Sequence, residues 1–185
     1  WDRMSTITVD TEQYDDSQQS RLHFWQVAIA MANDRPLIGV GHRGYERAYN
    51  QYDWTEGKFM TNRAVHSAWF GVLAELGYPG LLLFIAIVFG SLRSCRRLRK
   101  AAERGEIAGP LGPYAIAFET SLVAFMVGGS FVSFHYNEML WHYFALTIAL
   151  ERVAVREMAA QREHKEARPP ATEAAASPEP EFAWG

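Results

Sequence analysis

The sequence predicts an all-α fold, a fragment of a polytopic α-helical membrane protein with a large helical loop outside the bilayer. Three observations predict it. Long apolar stretches recur after residue 77, a run of bases separates the first two, and helix-capping residues punctuate the polar first third. The mean hydropathy of −0.16 is that of a soluble protein only because it averages three unlike regions. Residues 1–63 are polar and rich in Trp and Tyr, 64–153 are mostly apolar, and 154–185 are rich in Ala, Glu, Pro and charge.

The chain opens at Trp1 without a basic n-region or a signal-type apolar core. It reads as a piece of a longer protein whose earlier spans precede it. Residues 1–77 are expected to form the outside loop, with two helices. Asp15-Asp16-Ser17 supplies an N-cap, and Pro36 disfavours helix at Arg35, so the first helix is expected from about Ser17 to Ala32. Arg21 then lies in the second turn, near unpaired N–H groups and positive dipole potential. It fits an anion site, but on the residues alone a surface arginine stacked on Trp25 and paired with an acid is the better reading.

Leu37-Ile38-Gly39-Val40-Gly41-His42-Arg43-Gly44-Tyr45 is a turning loop whose glycines allow close backbone approach to a partner. It lacks the spacing of a nucleotide-binding loop. Tyr45, Tyr49, Tyr52 and Trp54, interleaved with Arg43 and Arg47, suit sugar stacking or the aromatic belt of a membrane interface. The second helix is expected to start near Thr61 or Asn62 and to end at Gly77. That would put Arg63, His66, Ser67 and Phe70 on one face.

Residues 78–155 are expected to hold about three spans: Tyr78 to Leu92, Tyr114 to Phe134, and Met139 to about Val155. A spanning helix needs about 20 mostly apolar residues, so the second qualifies on length and the others are short or marginal. A soluble bundle is the alternative, but the flanking Tyr78, Tyr114, Trp141 and Tyr143 favour a bilayer. The loop at 93–113 carries Arg93, Arg96, Arg97, Arg99, Lys100 and Arg104, which should hold it in the cytoplasm. The loop 1–77 and the turn His135-Tyr136-Asn137 then face the periplasm. Glu119 is expected to snorkel toward the cytoplasmic interface. Residues 156–185 have the composition of a disordered cytoplasmic tail.

Several chemistries have no support. The net charge of −3 gives no nucleic-acid signal. Cys95 is alone, which excludes an internal disulfide and a multi-cysteine metal site, and it reads as a bystander. No H-E-x-x-H or acidic cluster suggests a metal, and His135 and His142 are seven residues apart.

Three pieces together resemble a known pattern: Asp16-Ser17-x3-Arg21-x3-Trp25, Arg35-Pro36-Leu37-Ile38-Gly39-Val40-Gly41, and His66-Ser67-x7-Glu75-Leu76-Gly77-x2-Gly80-Leu81. Their order and spacing resemble the O-antigen ligase/polymerase family over roughly residues 1–95. Trp1-x-Arg3-Met4-x-Thr6-Ile7 is similar to its exosortase-associated O-glycosylation ligase branch. Val65 departs from the small residue or proline expected before the histidine.

The resemblance implies a bacterial inner-membrane glycosyltransferase without cofactor or metal. Its partners would be an undecaprenyl-pyrophosphate-linked glycan and an acceptor hydroxyl on lipid A-core, a polysaccharide or a protein. By position, Arg21 matches a pyrophosphate-binding arginine and His66 the histidine that works at the acceptor hydroxyl. Arg3, Arg43, Arg47 and Arg63 match no motif position firmly, and a further phosphate-binding arginine is undecided among them. A polymerase of the same family, and a non-catalytic subunit or transporter that binds lipid-linked glycan, are the other readings.

Overall fold

The computed structural model describes residues 11–107 and 109–167. The helices are α1 (Thr11–Asp34), α2 (Tyr45–Tyr52), α3 (Ala68–Glu103), α4 (Leu111–Gly128) and α5 (Glu138–Ala167), with no strand among the described residues. The expected all-α class is what the chain adopts.

The polar N-terminal segment packs α1 against α2 and the start of α3. Phe24, Val27, Ala28 and Met31 of α1 form a core with Tyr45, Tyr49, Val65 and Ala74. The Tyr45 hydroxyl donates to the Phe24 carbonyl at 2.8 Å, which satisfies the buried phenol. Tyr45 and Tyr49 are therefore core residues, and the expectation that they stack on sugars or sit at a membrane interface does not hold. Their i, i+4 spacing is that of α2, a helix the sequence reading passed over.

α3 is broken at Gly77, where φ is 69° and ψ −171°. The break frees carbonyls on one side and an N–H on the other, and the glycine loop takes them up. Val40 N–H donates to the Ala74 carbonyl at 2.8 Å and Gly41 N–H to that of Glu75 at 3.0 Å. Across the break, Tyr78 N–H donates to the Pro36 carbonyl at 2.9 Å. Gly39, at φ 62°, lies so close that a Cβ there would come within 2.4 Å of the Ala74 oxygen. The partner these glycines approach is the main chain of α3.

Beyond Gly77, α3 packs on α4 and α5 through Phe84, Val88, Leu92, Cys95, Leu122, Leu140 and Phe144. Cys95 is a buried free thiol. Among the described residues two helices, α3 and α4, are long and apolar enough to cross a membrane. Their outer surfaces are greasy: Leu82, Leu83 and Val127 are 67, 64 and 63% exposed. Water disfavours so large an apolar surface, and lipid would cover it. α5 includes the third expected stretch but does not join α3 and α4 by that measure. It runs on to Ala167, so residues 156–167 of the expected tail are helical, and residues 168–185 lie outside the described residues.

The bases from Arg93 to Lys100 sit on the final turns of α3 and not in a loop. Glu119 of α4 does not snorkel alone. It accepts from Arg96 Nε at 3.0 Å and Arg99 Nε at 2.9 Å, tying the basic final turns of α3 to α4.

Candidate functional site

The expected second loop helix starts later than its capping residues suggest. Asn62 is engaged elsewhere: its N–H donates to Asn50 Oδ1, and its Oδ1 accepts from Asn50 Nδ2, both at 3.0 Å. The true N-cap is Ser67, in extended conformation, whose hydroxyl accepts from Phe70 N–H at 3.5 Å. Residues 53–67 are thus an irregular loop. Arg63 and His66 lie on it, and the expected common helical face with Ser67 and Phe70 does not form.

Asp53 pins the start of that loop. Its Oδ1 accepts from the Thr55 N–H at 2.9 Å and the Thr55 hydroxyl at 2.6 Å, and its Oδ2 from Gly57 N–H at 3.0 Å. His23 Nε2 lies 2.9 Å from Oδ1, both side chains being 5% exposed. Burial pushes the Asp53 carboxyl up, but the bonds from Thr55, Gly57 and His23 outweigh it and hold the pKa below the ordinary value.

His66 is half-buried with φ at 50°, a left-handed conformation that non-glycine residues adopt rarely. Its ring lies 6.0 Å from that of Phe24. Burial lowers its pKa, and the charges of Arg63 and Arg21 lower it further, against a smaller opposing pull from Glu46. The imidazole is therefore neutral at neutral pH, with two guanidinium groups bearing on it.

Those guanidinium groups arrive by different routes. Arg63 lies over the Phe24 ring at 5.6 Å, and its Nε is buried without a hydrogen-bond partner among the described residues. Arg21 is exposed on α1. The helix is described from Thr11 onward, so Arg21 stands well past the first turn and the helix-terminus argument for it lapses. Its expected stack on Trp25 is replaced by a Trp25–Phe70 stack at 5.1 Å.

The other arginines are scattered. Arg47 lines a separate hollow with Arg35, His42 and Tyr52. Arg43 lines a cavity of about 350 Å³ with Glu75, His135 and Tyr136. Arg3 lies outside the described residues. Glu75, buried at the end of the first part of α3, was read only as a motif letter. It accepts the N–H of Arg43 at 3.0 Å and of Tyr45 at 3.2 Å, which orients the loop above it. Among the described residues no three His, Cys, Asp or Glu side chains gather as a metal set.

The fold and this site define a class: a helical protein with membrane-length helices, whose polar N-terminal segment carries a histidine under the charge of two arginines. Residues 1–85 match the family described as O-antigen ligase, consistent with a fragment of that family and with the motif resemblance. That supports a membrane glycan-processing function of ligase or polymerase type. The match takes in the polar N-terminal segment and the first turns beyond Gly77. No curated protein and no solved structure matches the chain.

Proposed function

We propose that this chain belongs to a ligase-type glycosyltransferase of the bacterial inner membrane. It would transfer a glycan from an undecaprenyl-pyrophosphate carrier to an acceptor hydroxyl. The outer loop faces the periplasm in this reading, and the basic end of α3 faces the cytoplasm, as the positive-inside rule favours.

The observation that carries the reading is that the charges of Arg63 and Arg21 both bear on a neutral His66. The acceptor oxygen attacks the anomeric carbon, the bond from that carbon to the pyrophosphate oxygen breaks, and the carrier leaves with the electron pair. Arg21 and Arg63 neutralise the charge on the leaving pyrophosphate, since charge-assisted and bidentate contacts suit phosphate oxygens. The partnerless, buried Arg63 Nε is what lifts Arg63 above Arg43 and Arg47 for this role. Neutral His66 takes the proton of the acceptor hydroxyl and passes it to water.

Arg21→Ala and His66→Ala should each abolish glycan transfer in cells while membrane insertion is unchanged. The loss of proton acceptance alone accounts for roughly 10²- to 10⁴-fold. Arg21→Lys should rescue little, because a lysine cannot make the bidentate contact. Normal transfer in either alanine variant rejects the role given to that residue.

A further inference from the structure

The cavity beside the Arg21–Arg63–His66 cluster has a different chemistry. It holds about 350 Å³, and Ala64 and Val65, the two residues before His66, form part of its wall. Ligand pockets run from about 300 to 1,000 Å³, so it has room for one small ring.

Its polar groups are Arg43, Glu46, Glu75, Ser133, His135 and Tyr136. His135 is 5% exposed, and neither of its ring nitrogens has a hydrogen-bond partner among the described residues. Its Nε2 is 3.7 Å from Glu75 Oε2, beyond hydrogen-bond reach. The Tyr136 hydroxyl is buried beside the Glu75 carboxylate, the acceptor that bears on it, but makes no hydrogen bond of good geometry among the described residues. Burial, and then the neighbouring Glu75 carboxylate, raise the Tyr136 pKa, so the phenol keeps its proton to donate. Buried donors and acceptors left unmet are costly, and a ligand that meets them recovers that cost.

Charge decides which ligand. Two carboxylates, Glu46 and Glu75, face one guanidinium here, which disfavours a phosphate, whereas at His66 two guanidinium groups outweigh the smaller pull of Glu46, which bears on both places. Hydroxyls that both donate and accept suit a wall of carboxylate, imidazole, phenol and serine. We propose that this cavity is a sugar subsite, taking one uncharged pyranose ring of the glycan next to the reacting bond, with His135 and Tyr136 as its anchors. The assignment rests on the glycan-transfer reading, and it divides the outer face into a phosphate half and a sugar half.

The test uses full-length protein in outward-facing membranes, with Ser133→Cys as a reporter of occupancy. Cys95, the only other cysteine of this chain, is buried. Uncharged methyl pyranosides should slow maleimide labelling of the reporter, and inorganic phosphate should not. Tyr136→Phe, which removes a single oxygen, and His135→Gln should each weaken that protection roughly two- to tenfold, as loss of one hydrogen bond does. The subsite is overturned if no pyranoside protects, if phosphate protects as well, or if both variants are protected like the parent.

Membranes that make the lipid-linked glycan but no acceptor identify the source of the ring. Protection there supports a donor subsite, and protection only when acceptor is present supports an acceptor subsite. Absence of sugar protection while Arg21→Ala still abolishes transfer sinks the subsite alone. Sugar protection with normal transfer in Arg21→Ala and His66→Ala sinks the transfer mechanism and leaves a sugar-binding cavity.

Discussion

Glu75 Oε2 accepts the main-chain N–H of Arg43 at 3.0 Å, so a carboxylate buried on α3 holds the far end of the glycine loop. Its other oxygen holds Tyr45 N–H, the first residue of α2. Glu75→Ala should destabilise the outer segment by roughly 1.5–3 kcal/mol for each charged hydrogen bond lost. The thermal midpoint of detergent-purified protein reads this, and an unchanged midpoint would show that Glu75 does not hold the loop.

Gly39→Ala and Gly41→Ala form a matched pair. Both glycines have positive φ, but a Cβ at Gly39 meets the Ala74 oxygen at 2.4 Å, while at Gly41 it meets nothing within 4 Å. Each change costs about 1–2 kcal/mol for the left-handed backbone. Only Gly39→Ala also forces the loop off α3, so its midpoint should fall well below that of Gly41→Ala. Equal midpoints would refute the clasp.

Arg63→Gln should shift the pH dependence of transfer. A general base works when unprotonated, so activity falls as pH drops through the His66 pKa, which lies below the ordinary imidazole value. Arg63 opposes protonation, and its removal raises that pKa. The acidic limb of the pH profile should therefore move to higher pH in Arg63→Gln, though not all the way, because burial is the larger cause. An acidic limb that stays in place argues against His66 as the base.

Asp53→Asn should lower stability in a pH-dependent way. The Asp53 pKa is depressed in the fold, so its stabilisation is complete above the ordinary aspartate pKa, about 3.9. It is lost as pH falls through the lower folded value. The gap in thermal midpoint between parent and variant should be full at neutral pH and shrink below about pH 4. A gap that does not depend on pH would assign the effect to something other than the charge.

The membrane helices were legible because their signal is local: Gly80 to Leu92 and Tyr114 to Gly128 are apolar enough to announce themselves. The outer loop was harder. Thr61 and Asn62 are good capping residues, and nothing nearby reveals that Asn50 competes for Asn62. α2 was available as the i, i+4, i+7 spacing of Tyr45, Tyr49 and Tyr52, obscured by an aromatic composition that suits surfaces too. Arg21 and His66 could be named from motif positions, but their approach to Arg63 depends on how α1 packs against the loop. His135 and Tyr136 looked like a tight turn, and only packing against Gly71 and Glu75 makes them part of a cavity.

Three of the bonds that close the joint at Gly77 run between main-chain atoms: Pro36, Val40 and Gly41 on one side, Ala74, Glu75 and Tyr78 on the other. The side chains of Leu37 and Ile38 stand clear of it, 74 and 73% exposed. Such a joint is blind to drift in those side chains but counts residues. Adding or deleting one between Pro36 and Gly41 would throw the pairing out of step. In related chains, insertions should gather elsewhere in the outer segment, leaving this stretch at constant length.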